Sequence, residues 1–287
     1  MKQLIVNADD LGYTKEINKG IMDAHKNGVV KSATVLVNRE AFDDAVSLLA
    51  DNPGLSTGLH IDLDSFLEIK RPGGFITGLK FDALQISDEI IRQLDKFLNA
   101  GLELSHLDSH HHAHLLPEIL PIVIAKAKEL NVPIRFAPVI PEIRNRESTS
   151  AVNSRVIAGI PRPLRERNLR SKMERGCSCS VIPECLNRES AVKIQTNCET
   201  ADPRLQISGM TDKMRNFLDS NNIKYPPHFI NGWYWGNIDE EFETAELITH
   251  PGYGQEWREK ELAVCCDSNL KAYLEEKNIQ LISFDQL

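Results

Sequence analysis

Leu4-Ile5-Val6-Asn7-Ala8-Asp9-Asp10-Leu11-Gly12 is a short apolar run that ends in two carboxylates and a glycine, just ahead of a helical pattern over 15–28. Short apolar runs alternating with helical patterns are the signature of a parallel sheet with crossover helices. The alternation continues outward from this stretch. Strands are expected at Ala33–Val37, Leu55–Ile61, Leu104–Ser109 and Pro133–Ala137, with helices near 40–51, 87–100 and 117–130. A Gly- and Pro-rich loop, Arg71-Pro72-Gly73-Gly74, falls between the third strand and the next helix. Later strands are expected at 228–231, 245–249 and 279–284. About eight strands separated mostly by helices predict an α/β fold, a distorted (β/α) TIM-like barrel, with a doubly wound open sheet as the alternative. In a barrel the active site lies at the carboxyl ends of the strands, which gives the candidate residues a positional test.

At 287 residues the chain fits one barrel domain spanning 1–287. Residues 141–205 break the rhythm. The stretch from 144 to 175 holds nine Arg or Lys, and Cys177, Cys179 and Cys185 follow it. That is longer than a normal βα connection, so it reads as an insertion, either a solvated excursion or a lid over the site. The six cysteines fit neither a disulfide framework nor a zinc ribbon, and free thiols are the simpler reading. Apolar residues at 41% and charged residues at 26% match a soluble enzyme. A net charge of −8 argues against nucleic acid or an anionic membrane as the main partner, because both require a basic face. The first apolar run is too short for a signal peptide, and no window approaches the ~18 to 20 apolar residues of a membrane span. A cytoplasmic protein is expected.

Three segments put ligand-type residues at the ends of expected strands. Asp9 and Asp10 end the first, His60 the third, and His106-Leu107-Asp108-Ser109-His110-His111-His112-Ala113-His114 the fourth. Adjacent carboxylates repel unless a cation sits between or beside them. A division of labour resolves this: one binds a metal and the other takes a proton from the water that the metal activates. Five histidines and one aspartate within nine residues point to metal binding or proton transfer. Alternation puts His106, Asp108 and His110 on one face, and spacing leaves open which of them ligates. His250, before Pro251-Gly252, ends another strand and is placed to act as a general acid or as a turn residue. Arg135 could hold a catalytic carboxylate ionised or form an ordinary ion pair. Two imidazoles and one carboxylate leave coordination positions open for water and substrate, a set that suits Zn²⁺ and also Fe(II), Co, Ni or a water-rich Mg²⁺ site. The cofactor expected is one divalent metal ion.

The motifs Asn7-Ala8-Asp9-Asp10-Leu11-Gly12, Thr57-Gly58-Leu59-His60, His106 to His114 and His250-Pro251 closely resemble the YdjC-like carbohydrate deacetylases, the chitooligosaccharide deacetylase type. That family is related in architecture to the NodB-like polysaccharide deacetylases. The resemblance implies removal of N-acetyl groups from small sugars such as chitooligosaccharides or acetylated sugar phosphates. It implies Asp10, His60 and His110 as metal ligands, Asp9 as base, Arg135 as the residue that steadies it, and His250 as acid. A homodimer is also implied. The 141–205 stretch matches no family motif. His112, Trp233 and Trp235 are candidate sugar contacts, with Phe229 and Tyr234 nearby, although core packing would equally explain the aromatic residues. Two other readings stay open: a metal-dependent phosphoester or other amide hydrolase, and a non-catalytic sugar-binding protein.

Overall fold

A computed structural model describes residues 1–70, 75–80, 82–137, 203–232, 238 and 241–287. Most of the expected insertion, its cysteines, and Trp233, Tyr234 and Trp235 therefore lie outside the described residues.

The first strand, β1 (Lys2–Leu11), is the axis of the molecule. Around it lie β2 (Ser32–Val35), β3 (Ser56–Ile61), β6 (Leu107–Ser109), β7 (His228–Asn231), β8 (Thr244–Thr249) and β9 (Ile279–Ile282). Together they form one parallel sheet in the order β6-β3-β2-β1-β8-β7. On one side of β1, β8 pairs from Gln3 to Ala8. The other side is shared: β9 runs beside Lys2–Ile5 and β2 beside the residues from Asn7 on.

Helices cross between the strands on the outside of the sheet. They are α1 (Lys15–Asn27), α2 (Phe42–Ala50), α3 (Ala83–Asn99), α4 (Leu120–Leu130), α5 (Pro203–Ser220), α6 (Glu256–Cys265) and α7 (Ser268–Glu276). Thr14 caps α1 by accepting from Ile17 N, and Asp82 with Gln85 forms a capping box on α3. Each cap satisfies amides that the first turn would leave unpaired. Among the described residues, no helix is long and apolar enough to cross a membrane.

The sheet curls strongly. Arg135 follows Ile134, which bridges to Leu107 at the β6 edge, yet its side chain reaches Glu246 on β8 at 2.7 Å. In a flat sheet those positions would stand about 24 Å apart, five strand spacings of ~4.8 Å. The described residues thus form an α/β fold with a parallel half-barrel sheet. The expected fifth strand, Pro133–Ala137, contracts to the single bridge at Ile134, whose N–H also donates to Lys224 O across the gap. Two antiparallel strands not expected from the sequence, β4 (Leu67–Lys70) and β5 (Phe75–Leu79), flank the expected 71–74 loop and stand beside the main sheet.

Alternation sorts β1 into two faces. Leu4, Val6 and Ala8 turn outward into the main core with Ile17 and Ile21 of α1. Ile5 turns inward, where Ile282 and Phe284 form a small separate apolar cluster. That cluster is the floor of the concave side. His106 stacks on Phe284 at 3.6 Å between ring centroids, and Gly58 makes room for it: a Cβ there would lie 2.5 Å from the His106 ring. Above the floor come Asn7 and Thr34, and above them Asp9, His60 and Asp108.

Candidate active site

Both carboxylates of the Asp9-Asp10 pair face the concave side, which plain alternation forbids. The register between β1 and β2 slips between Ala8 and Leu11, so β1 carries an extra residue there. Asp10 takes a φ of 72°, in the left-handed region. A bulge of this kind re-aims a side chain, and the conformation costs a non-glycine residue roughly 1–2 kcal/mol. The surrounding contacts sustain it.

Asp9 is 3% exposed and is gripped by Arg135, whose Nη1 donates to Oδ2 at 2.7 Å and Nη2 to Oδ1 at 2.6 Å. Asn7 Nδ2 donates to Oδ1 as well, at 2.9 Å. Burial pushes the Asp9 carboxyl up, but Arg135, His60 and His250 together outweigh it and hold the group well below the usual carboxylate range. Arg135 is itself fully buried, and its Nη1 lies 2.8 Å from Asp108 Oδ2 while its Nε donates to Glu246 Oε1 at 2.7 Å. One guanidinium thus ties three acids together. Burial pushes Glu246 up to about 8 despite that contact.

His60 donates from Nδ1 to Asp108 Oδ1 at 2.6 Å, which turns Nε2 toward the two aspartates at the end of β1. Asp10 Oδ1 lies 3.6 Å from His60 Nε2 and 3.3 Å from His110 Nδ1. Ligand atoms of Asp10, His60 and His110 all lie within 4.8 Å of one another, so the three residues that the resemblance named come together. Asp10 Oδ1 is buried and has no hydrogen-bond partner, whereas Arg258 Nη2 donates to the other oxygen at 2.5 Å. A buried carboxylate oxygen without a donor is costly unless a cation is its partner. His60 bound to a carboxylate through its far nitrogen is the usual support of a metal-ligating imidazole. The donor set fits one divalent ion. Without an ion, burial lowers His60, but Asp108, Asp9 and Asp10 prevail and push it up to about 9.

His250 follows β8. Its Nε2 lies 3.9 Å from Asp9 Oδ2, the same distance as His60 Nε2 from that oxygen. Glu261 of α6 accepts from the His250 N–H at 2.5 Å and from Thr249 Oγ1 at 2.8 Å, with its carboxylate 3.7 Å from His250 Nδ1. Burial lowers His250, while Glu261 and Asp9 raise it further, so its pKa lies above the ordinary 6.5.

The remaining histidines divide. His110 to Leu115 leaves the strand as a 3-10 turn in which His111 and His112 both take left-handed φ values, 56° and 55°. His114 is locked, with Nδ1 on Ser109 Oγ at 2.6 Å and Nε2 on the Arg135 carbonyl at 2.9 Å. His112 sits edge-on to Phe229 with ring centroids 5.6 Å apart. His111 approaches Asp64, and these with His110 make a second cluster of ligand type. That cluster is more exposed, and Arg39 already lies 3.4 Å from Asp64.

Four partners at the site escape a sequence reading of ligand types: Thr34, Glu246, Arg258 and Glu261. Thr34 and Glu246 carried a signal, a lone polar residue at the inward position of an apolar strand. Arg258 and Glu261 lie in α6, where nothing in the sequence marks them.

A family model described as "YdjC-like protein" matches residues 3–276. A protein of Brevibacillus brevis named carbohydrate deacetylase is 30% identical, with 99% of each chain covered. One from Clostridium beijerinckii with the same name is 27% identical over 99% of this chain and 100% of its own. A Vibrio parahaemolyticus carbohydrate deacetylase is 41% identical over 46% of this chain and 58% of its own. Among solved structures, a candidate cellobiose-phosphate cleavage protein from Enterococcus faecalis V583 superposes with a TM-score of 0.63 at 19% identity, covering 99% of this chain and 98% of its own. That likeness bears on the fold.

Proposed function

We propose, since the chain belongs to the YdjC-like protein family, that it hydrolyses the N-acetyl group of small carbohydrates with one divalent cation held by Asp10, His60 and His110. The observation that carries this reading is the unpartnered Asp10 Oδ1, aimed between two imidazole nitrogens beside a carboxylate kept ionised. The relatives named carbohydrate deacetylase support the substrate class. Chitooligosaccharides and acetylated sugar phosphates are the substrates proposed, and we take 1–287 as one distorted-barrel domain acting as a cytoplasmic homodimer.

When bound, the cation supplies a Lewis acid that polarises the acetyl carbonyl and lowers the pKa of water. Asp9 stands at the same point and accepts the proton of the attacking water. Arg135 fixes its two oxygens and keeps it charged, at some cost in proton affinity. Asp108 holds the His60 ring so that Nε2 faces Asp10, where it would hold the ion. His250, across from Asp9, gives a proton to the departing sugar amine, which otherwise leaves as a poor anion. His112, with Trp233 and Trp235, is proposed to contact the sugar.

The test is acetate release from N,N′-diacetylchitobiose and from N-acetylglucosamine 6-phosphate, with and without a chelator. Release that stops on chelation and returns with Zn²⁺ or Mg²⁺ is expected, with phosphate esters left intact. Loss of phosphate instead of acetate would move the chemistry to phosphoester hydrolysis. Sugar binding without either product would leave a binding protein.

A further inference from the structure

Arg258 lies on α6, away from every motif that marks the site, and is 6% exposed. Each edge of its guanidinium is occupied. Nη2 donates to Asp10 Oδ2 at 2.5 Å, Nη1 to the His250 carbonyl at 3.4 Å, and Nε to Gln255 Oε1 at 3.1 Å. Its plane rests over the Trp257 ring, 4.4 Å from the centroid. The path of its side chain is cleared by Gly252, where a Cβ would lie 3.1 Å from Arg258 Cδ. A planar fork held at all its nitrogens is a rigid template, which a lysine cannot reproduce.

We infer that Arg258 is the positioning residue of the metal centre: by occupying Asp10 Oδ2 it leaves Oδ1 as the single carboxylate donor, and it ties that donor to the His250 turn. The inference rests on the proposed metal reading and goes beyond it. Asp10 is otherwise weakly restrained, because it sits at a bulge with φ at 72° and its Oδ1 has only the His110 and His60 ring nitrogens near it, at 3.3 and 3.6 Å. Without Arg258 the carboxylate is free to rotate or to offer both oxygens. The neighbouring nitrogen groups do not substitute for it: Arg135 is committed to Asp9, Asp108 and Glu246, and the His60 and His110 rings face Oδ1.

Binding of Zn²⁺ is measured by competition with a chromophoric chelator, and geometry by the visible spectrum of the Co²⁺-loaded protein, both without substrate. Arg258→Met should bind Zn²⁺ about 10- to 100-fold more weakly, the usual effect of losing a hydrogen-bonded partner behind a ligand. Its cobalt bands should weaken in intensity as Asp10 becomes bidentate and the coordination number rises. Arg258→Lys keeps the charge but not the fork, so it should fall between the two in affinity. Melting of the metal-free proteins separates a folding defect from a binding one. Should Arg258→Met not fold, Arg258→Lys decides alone, and a wild-type affinity and spectrum there would overturn the inference. So would a folded Arg258→Met with both readouts unchanged, whatever its melting temperature. A wild-type protein that takes up neither ion would instead remove the metal reading on which the inference stands.

Discussion

At the residue scale the site is a set of paired constraints. Asp9 is ionised by Arg135, His60 is aimed by Asp108, and His250 is supported by Glu261. Asp9→Asn keeps the shape and removes the proton acceptor. It should lower kcat by about 100-fold or more with Zn²⁺ content unchanged in elemental analysis. An unchanged rate would exclude Asp9 as the base. The proposed role of His250 as the proton donor predicts the pH profile, since that role needs the protonated ring. Its pKa is raised above 6.5, so the alkaline fall in rate should begin above that value. Glu261→Gln removes the charge that helps raise it and should move the alkaline limb to lower pH, read from kcat against pH. Asp9, Asp10, His60 and the histidine cluster were legible in the sequence because strand ends concentrate function. The re-aiming of Asp10 was not legible, since it depends on a register slip against β2 that no local pattern encodes.

At the element scale, one helix contact holds the His250 turn in place. A Cβ at Gly20 of α1 would lie 2.4 Å from Gly252 Cα, backbone against helix, in the turn that carries His250. Gly20→Ala must push that turn away. Overpacking of this sort typically costs 1–3 kcal/mol, and here it also displaces His250 and the carbonyl that Arg258 holds. Denaturant melts should show the loss, and kcat should drop by more than KM changes. Stability and kcat both at wild-type values would contradict the packing described. Periodicity found the strands around β1 and the helices up to residue 130, but not α5, α6 or α7, and it went astray at two further places. Pro133–Ala137 looked like a strand, but it pairs at Ile134 alone, because Arg135 turns inward to the buried acids and His114 takes its carbonyl. The strands at 67–70 and 75–79 were not anticipated, although a Gly- and Pro-rich loop such as 71–74 between two apolar runs is a hairpin signal.

At the scale of the whole molecule, curling the sheet gathers charge into one buried layer. Glu246 is the group that registers it, with its pKa pushed from 4.5 up to about 8. Folded Glu246 therefore binds a proton that the unfolded chain has lost. Its contribution to stability is present below about pH 4.5 and disappears as pH rises toward about 8. Glu246→Gln is indifferent to this, so its melting temperature relative to wild type should climb from pH 5 to pH 8 in the metal-free protein. A flat difference would mean that Glu246 is ionised throughout. Metal uptake should have the opposite dependence. Protonated His60, pushed up to about 9, competes with the ion, so affinity should strengthen as pH rises and each ion bound should release a proton. The proposed cation is shared by residues that stand 50 positions apart in the chain on either side of His60. Anomalous diffraction at the zinc edge, from crystals grown with Zn²⁺, would locate it. One peak about 2.0–2.2 Å from Asp10 Oδ1, His60 Nε2 and His110 Nδ1 is predicted. A zinc-loaded crystal with its peak elsewhere, or with those three atoms bound to no ion, would contradict it.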